Sequence, residues 1–397
     1  MSMSDPSAGD VAGQLEEAGR AMRSGALREA AALYRAALGR EPQHLAAWNN
    51  LGAIHRQLGQ LPEALQAAQE ALKLAPRSWI AHYLIGSIEQ QMGRARQAAQ
   101  AFKIAIGLSP PPDSLDQHAR AGLERAQALV EAVDRDYAAF LDDAMRDALS
   151  DASSAEATRA GIARDIMAGR RVHYGQQPLV FHWPGLPAIE FWDRAEFDWI
   201  ETVEAATDAI RDELLAVLAT GEADLTPYMK YGEGVPLDQW AELNNNPAWS
   251  AFHLIERGVL VPDNAARCPR TLAALLPVPQ PDVPGKTPVA MFSILKPHTR
   301  IPPHTGAANT RLLCHLPLIV PENCSYRVGG SWRSWTVGEA FVFDDTIEHE
   351  ARNDSDRMRA VLIFDLWNPR LTETDRRIIA RLLAAQSDFY QSAVDWS

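Results

Sequence analysis

The sequence predicts a multidomain α+β protein, with an all-α superhelix of repeats in front and an antiparallel β-domain with flanking helices behind. Three observations predict it. Landmark residues recur every 34 positions between residues 13 and 112. Apolar residues at helical spacing continue through residues 114–170. Beyond the proline-rich stretch 275–287 the helical period vanishes and strand-like runs follow. A chain of 397 residues is also too long for one compact core.

The array comes first. Gly25, Gly59 and Gly93 are 34 residues apart, as are Ala30, Ala64 and Ala98, and Pro42, Pro76 and Pro110. Tyr34, Ala68 and Phe102 keep the same register, and so do Leu38, Leu72 and Ile106. The glycine permits a turn between antiparallel helices. The alanine lets the helices approach closely, and the proline sits at a helix end, where its missing N–H costs little. A helix-turn-helix unit of this length with these landmarks resembles the tetratricopeptide repeat, and about three units cover residues 13–112. Such an array either caps the next domain or presents a concave groove to a peptide or partner protein. The second use is the expectation.

Pro110, Pro111 and Pro112 end the array. Residues 113–171 read as a helical connector of two or three helices, with Leu123, Ala126, Leu129, Val130 and Val133 on one face. Composition changes near residue 172, where aromatics and prolines crowd Pro178 to Pro187, and the second domain is expected over 172–397. An amphipathic helix is expected from Phe197 to Leu218, and a turn at Asn244 to Trp249.

The strands follow. Val289 to Leu295, Arg311 to Val320 and Ala340 to Phe343 have strand character, as does Met358 to Trp367. Ser325 to Val328 and Ser331 to Trp335 flank Gly329-Gly330, a hairpin signal. No helix pattern separates these runs, so the sheets should be antiparallel. A double-sheet jelly roll (double-stranded β-helix) is the natural closure, with a helix from Glu373 to Tyr390 packed outside. Trp332, Trp335 and Trp367 read as core.

Composition narrows the function. A formal net charge of -13 argues against a general polyanion binder, so no nucleic-acid partner is expected. No stretch approaches the ~18 consecutive apolar residues of a membrane span. Residues 1–10 lack a basic segment followed by an apolar run, and the three cysteines (Cys268, Cys314, Cys324) form no C-x-x-C pair. A reducing cytoplasm is the expected compartment.

Two histidines carry the chemistry. His304 lies in Pro302-Pro-His-Thr-Gly306, just past one strand, and His349 lies in Phe343-Asp-Asp-Thr-Ile-Glu-His-Glu350, past another. Either alone reads as a surface or hydrogen-bonded core residue. Their shared placement at strand ends of one small domain makes them candidate metal ligands. Two imidazoles on one Fe(II) leave positions open for a co-substrate and O2.

The segment from Phe292 to Pro369 resembles the catalytic domain of the aspartyl/asparaginyl β-hydroxylases. The likeness lies in the Ser293 strand, Pro-His304-Thr-Gly, Asn309 with Arg311, and His315. It continues in Phe-Asp-Asp with Glu348-His349-Glu350, in Arg359, and in Asp365-Leu-Trp367-Asn-Pro369. The resemblance implies an Fe(II)- and 2-oxoglutarate-dependent dioxygenase that uses O2 and hydroxylates a C–H bond. It implies His304 and His349 as the iron ligands, with Gly306 where many iron oxygenases place a ligating carboxylate. It implies Arg359 and Ser293 at the distal carboxylate of 2-oxoglutarate, and His315 near its metal-proximal end. Arg311 becomes a candidate for an anionic substrate group, with a structural ion pair as the alternative. Leu313 departs from the family's second arginine, which puts strict peptidyl-aspartate specificity in doubt. None of Asp344, Asp345, Glu348 and Glu350 is assigned to the metal.

Three functions stay open on these residues. The first is β-hydroxylation of an aspartyl or asparaginyl residue in a protein or peptide docked by the repeats. The second is hydroxylation of a small molecule or lipid headgroup. The third is a repeat-based binding protein whose β-domain has lost its chemistry.

Overall fold

A computed structural model describes residues 6–221 and 225–390. The start of the segment read for a leader (residues 1–5) and the last residues of the expected 172–397 domain (391–397) lie outside the described residues. The chain divides into two compact units, Met1–Arg170 and Arg171–Ser397.

The first unit begins with three helix pairs: α1 Pro6–Arg23 with α2 Leu27–Arg40, α3 Leu45–Gln57 with α4 Leu61–Leu74, and α5 Trp79–Gln91 with α6 Ala95–Leu108. Gly25, Gly59 and Gly93 make the turns inside the pairs at φ of +82°, +76° and +76°, a region that costs other residues roughly 1–2 kcal/mol. His44 and Ser78 accept from the N–H groups of Ala47 and Ala81, which caps α3 and α5. Pro42, Pro76 and Pro110 each follow directly on a helix end. Ala30, Ala64 and Ala98 are fully buried, so the pairs close tightly. The long helix α7 Gln117–Met145 then lays Ala126 and Val130 against Ala98, Ala99 and Phe102. A capping box from Ser153 and Glu156 starts α8 Ser154–Met167.

The second unit opens with an irregular segment and then helices. The single helix expected over 197–218 is two, α9 Ile200–Ala205 and α10 Thr207–Ala219. The Thr207 hydroxyl donates to the Glu204 carbonyl at 2.6 Å, a bond that competes with continuation of the helix. Strands also begin earlier than the sequence suggested. β1 Thr226–Pro227, β2 Trp249–Glu256 and β3 Val259–Leu260 precede α11 Pro262–Arg267 and α12 Pro269–Leu275. The first four residues of β2 are buried on both faces, so it lacks the polar-apolar alternation that marks a half-exposed strand.

The remaining strands are β4 Ala290–Leu295, β5 Thr299–His304, β6 Arg311–Ile319 and β7 Cys324–Val328, then β8 Ser331–Ser334, β9 Phe341–Phe343, β10 His349–Asn353 and β11 Arg359–Trp367. One sheet runs β1-β2-β4-β11-β6-β9, with β3 beside β2, and the other runs β5-β10-β7-β8. All pairings between these strands are antiparallel. The helix α13 Glu373–Tyr390 buries Ile379 and Leu383 near Trp367 and Leu371.

Strand parity then decides which residues meet. Phe292 and Ile294 of β4, Leu312, Cys314 and Leu316 of β6, and Leu362, Phe364 and Leu366 of β11 join the core under α9, α10 and α12. Their neighbours Ser293, Arg311, His315 and Arg359 have the opposite parity. They share it with Met291, Leu295, Val361 and Ile363, which pack with Tyr326, Val328 and Ala351 of the smaller sheet. Trp335 and Trp367 are buried as expected. Trp332 is a correction, since it stands 48% exposed with the Arg327 and Arg352 guanidinium groups over its ring.

Candidate active site

His304 and His349 end and begin adjacent antiparallel strands and pair directly across them. His304 is therefore the last residue of a strand, not past one, and His349 opens another. Pro302 and Pro303 hid the first strand, because proline argues against a ladder. The polar run His-Glu-Ala-Arg-Asn hid the second. The ring centroids stand 4.0 Å apart. Each Nδ1 lies against a main-chain carbonyl, Pro302 at 2.8 Å and Ile347 at 3.1 Å. A carbonyl only accepts, so each Nδ1 carries the proton and each Nε2 keeps its lone pair. Burial, reinforced by the neighbouring His349, pushes His304 down to about 3. Burial pushes His349 down to about 4. Both rings are neutral at physiological pH, as ligands to a divalent metal require. Among the described residues no group of three or more His, Cys, Asp and Glu side chains gathers as a ligand set, so the donors present are these two imidazoles.

Gly306 has a structural cause. A Cβ placed there would overlap the Asp345 carboxylate. Asp345 is buried and faces Arg311 at 3.3 Å, and Arg311 also faces the buried Asp365 at 3.8 Å. Burial holds the carboxyl of Asp365 up at about 7, against the pull of Arg311. The Arg311 guanidinium thus lies between two acids of the fold, which favours the ion-pair alternative over an anionic substrate group. Asp344 shapes the turn before His349, accepting from the Thr346 N–H at 2.9 Å and hydroxyl at 2.6 Å and from Gln176 at 2.5 Å.

Arg359 is the largest fully buried side chain, 1% exposed. Its guanidinium lies 4.7 Å from the Trp335 ring centroid and donates weakly to the Ser293 carbonyl at 3.4 Å. Among the described residues it has no carboxylate partner. Burial pushes its pKa down to about 10, so it remains a cation. The Ser293 hydroxyl accepts from Trp249 Nε1 at 3.1 Å. His315 is 4% exposed and held neutral by burial and by Arg359, and its Nδ1 has no hydrogen-bond partner among the described residues.

The structure therefore brings His304 and His349 together, and it puts Ser293 and Arg359 side by side with His315 on the same inner face. Leu313 lies on that face too, packed in the cluster that holds Tyr326. Sequence reasoning missed the aromatic lining. The Tyr326 ring stands 5.0 Å from His315, 6.0 Å from His349 and 5.4 Å from Trp335. Burial keeps its phenol protonated. Trp240 meets the His304 ring edge-on at 5.1 Å, and Tyr228 stacks on Trp249 at 3.8 Å. The segment carrying Tyr228 and Trp240 has neither helical nor strand period. The density of aromatics ahead of β2 was the one signal available.

The inner face thus carries a facing pair of neutral imidazoles and a buried arginine with no carboxylate partner among the described residues. Residues 204–369 match the family model described as Aspartyl/Asparaginyl beta-hydroxylase, and residues 15–78 match one for the tetratricopeptide repeat. Residues 204–369 are thus similar to an aspartyl/asparaginyl β-hydroxylase domain, and tetratricopeptide-like repeats precede them. Similar proteins include "Aspartate beta-hydroxylase domain-containing protein 2" of Xenopus tropicalis, 31% identical over 53% of this chain and 55% of that one. The human "Aspartyl/asparaginyl beta-hydroxylase" is 31% identical over 52% of this chain and 27% of its own length. The "Ornithine lipid ester-linked acyl 2-hydroxylase" of Rhizobium tropici is 36% identical over 45% of this chain and 60% of its own length. The first of these relatives is matched over about half its length.

Proposed function

We propose that the protein is an Fe(II)- and 2-oxoglutarate-dependent dioxygenase that hydroxylates an unactivated C–H bond. The observation that carries this reading is Arg359, a fully buried cation on the inner face with no carboxylate partner among the described residues. An uncompensated buried charge is costly, and an anionic ligand removes that cost. With Ser293 beside it, Arg359 would meet the distal carboxylate of a five-carbon diacid. The guanidinium fork suits a carboxylate bidentately. His304 and His349 would hold the metal through Nε2, because both Nδ1 positions are already committed. With O2 and 2-oxoglutarate, bound iron supplies oxidative decarboxylation to succinate and CO2 and puts one oxygen atom into the substrate C–H bond. His315 would stand toward the metal-proximal end of the diacid. Tyr326 and Phe343 beside His315, and Trp335 beside Arg359, would give the diacid an aromatic lining.

The substrate reading remains the β-carbon of an aspartyl or asparaginyl residue, with the repeats docking the polypeptide. A second reading, an acyl or lipid substrate, has its own support. Arg311 faces two buried aspartates and Leu313 offers no cation, so the described site shows little to hold a substrate carboxylate. No helix among the described residues is long and apolar enough to cross a membrane. The cytoplasm is the compartment we propose.

The test is anaerobic incubation with Fe(II) and 2-oxoglutarate, then O2 with candidate peptides and acyl lipids. Succinate release and a single-oxygen mass gain are the expected products. Arg359→Ala should raise the 2-oxoglutarate requirement ~30-fold or more, because one partner of a buried charge pair is removed at ~2–5 kcal/mol. Arg359→Lys should recover only part, since a point charge does not reproduce the fork. An unchanged concentration dependence in Arg359→Ala would remove the co-substrate assignment.

A further inference from the structure

His349 is held unequally from its two sides. Toward β5 its ladder is broken. The register shifts between His349 and Ala351, which pair with His304 and Ile301. The two residues skipped on β5 are Pro302 and Pro303, and neither has an N–H to donate. Toward β7 the register is regular, with His349 opposite Val328 and Glu350 opposite Arg327.

On that regular side one arginine spans the histidine. Arg327 Nε donates to Glu350 at 2.5 Å, and its Nη2 donates to Glu348 at 2.8 Å. Its Nη1 donates to the Gly329 carbonyl at 2.7 Å, while the Gly329 N–H donates to the Glu348 carbonyl at 2.8 Å. Glu348 and Glu350 are the residues on either side of His349. By strand alternation they point away from the imidazole, so the clamp grips the outer face while the ring faces inward. Arg327 is 8% exposed, within 5.6 Å of the Tyr174 ring centroid and 6.0 Å of that of Trp332. Arg352 braces the same Glu350 at 3.1 Å.

We infer that Arg327 is a positioning residue for His349. It joins the carboxylates before and after the histidine, and so fixes the backbone that aims Nε2 where the broken β5 ladder does not. The inference rests on the reading of His349 as a metal ligand. Arg327 touches neither metal nor substrate. Its effect runs through the main chain at 348–350 and through the Nδ1–H bond to the Ile347 carbonyl. A guanidinium is needed because two separated carboxylates and a carbonyl must be met at once, which a lysine ammonium does only in part.

The experiment uses the full chain and two readouts. Co(II) titration, followed by the visible absorption of the bound ion, gives metal affinity. Imidazole ¹⁵N shifts in the metal-free protein give the His349 tautomer. Arg327→Met should weaken Co(II) binding ~10–100-fold, the usual effect of removing a group that orients a ligand. It should also turn a single Nδ1–H tautomer at His349 into a mixture. Arg327→Lys should fall between. Arg300→Met, on β5 of the same sheet, which breaks an exposed pair with Asp354, should change neither. If Arg327→Met does not fold, Glu348→Gln, which weakens one arm of the clamp, should show a smaller shift in the same two readouts. Unchanged affinity with a single tautomer in the folded variant overturns the clamp, and so does an equal loss in Arg300→Met. A parent protein that binds no Co(II) overturns the metal reading instead. The tautomer readout still judges the clamp.

Discussion

At the scale of single residues, the informative neighbours of the two histidines are a glycine and an aspartate. Gly306 stands where the space for a side chain is filled by the Asp345 carboxylate, and Asp345 is tied to Arg311. Gly306→Ala should therefore lower stability by ~1–3 kcal/mol, the usual cost of overpacking, read by thermal unfolding. Gly306→Asp should be worse, because two acids would then crowd one buried place. The exchange Gly306→Asp with Asp345→Gly should restore folding. If Gly306→Asp alone folded like the parent and bound metal more tightly, a third ligand was wanted and the two-imidazole site is wrong. The histidines make a second prediction. Burial holds His304 at about 3 and His349 at about 4, below the ordinary 6.5. Between pH 6.5 and about 4 the unfolded chain thus binds more protons at these residues than the folded one. Their stabilising effect is complete above pH 6.5 and is lost as pH falls toward 4. Asp344 and Asp365, raised to about 6 and about 7, work in the opposite sense and are present in parent and variant alike. Metal-free His304→Ala/His349→Ala should gain stability relative to the parent between pH 6.5 and 4.5 in urea unfolding. A difference that stays constant with pH would mean the rings titrate as ordinary histidines.

At the scale of elements, the repeat pairs depend on close approach. A Cβ on Gly86 of α5 would stand 2.5 Å from the Phe102 ring of α6, and one on Gly52 of α3 would stand 2.8 Å from a Leu84 methyl. A buried aromatic ring has few ways to move, whereas a leucine methyl can rotate. Gly86→Ala should therefore cost ~1–3 kcal/mol and Gly52→Ala less, in thermal unfolding followed by circular dichroism. Phe102→Leu should recover part of the Gly86→Ala loss. Equal effects of the two glycine substitutions would show that ring contact is not the cause. In the β-domain, the elements read correctly from sequence were the apolar ones, such as β4, β6 and β11. Among those missed, β2, β5 and β10 carry two-sided burial, two prolines, and a polar but buried run, in that order.

At the scale of the whole molecule, the chain divides into Met1–Arg170 and Arg171–Ser397, each with its own hydrophobic clusters. Residues 171–397 produced alone should fold and bind Co(II) with the affinity of the full chain, measured by the same titration. Residues 1–170 alone should keep their helical circular dichroism. Failure of the isolated β-domain to fold would show that the repeats complete it.

The sequence alone determined the 34-residue array and the antiparallel class of the second domain, and it singled out His304, His349, Ser293 and Arg359 as candidates. These are local signals: a repeated glycine needs its turn wherever it stands, and a motif is legible without its neighbours. Only the tertiary structure decided that Asp345 fills the place beside Gly306, that Arg311 faces two acids, and that Arg359 has no carboxylate to meet it among the described residues. It alone brought Tyr326 and Trp240 to the histidines and joined Glu348 to Glu350 through Arg327. Those facts depend on which strands pair and at what register, and so on contacts between residues far apart in the chain. Hydrophobic period sets the face of each strand, but the partner across the ladder is set by the closure of both sheets.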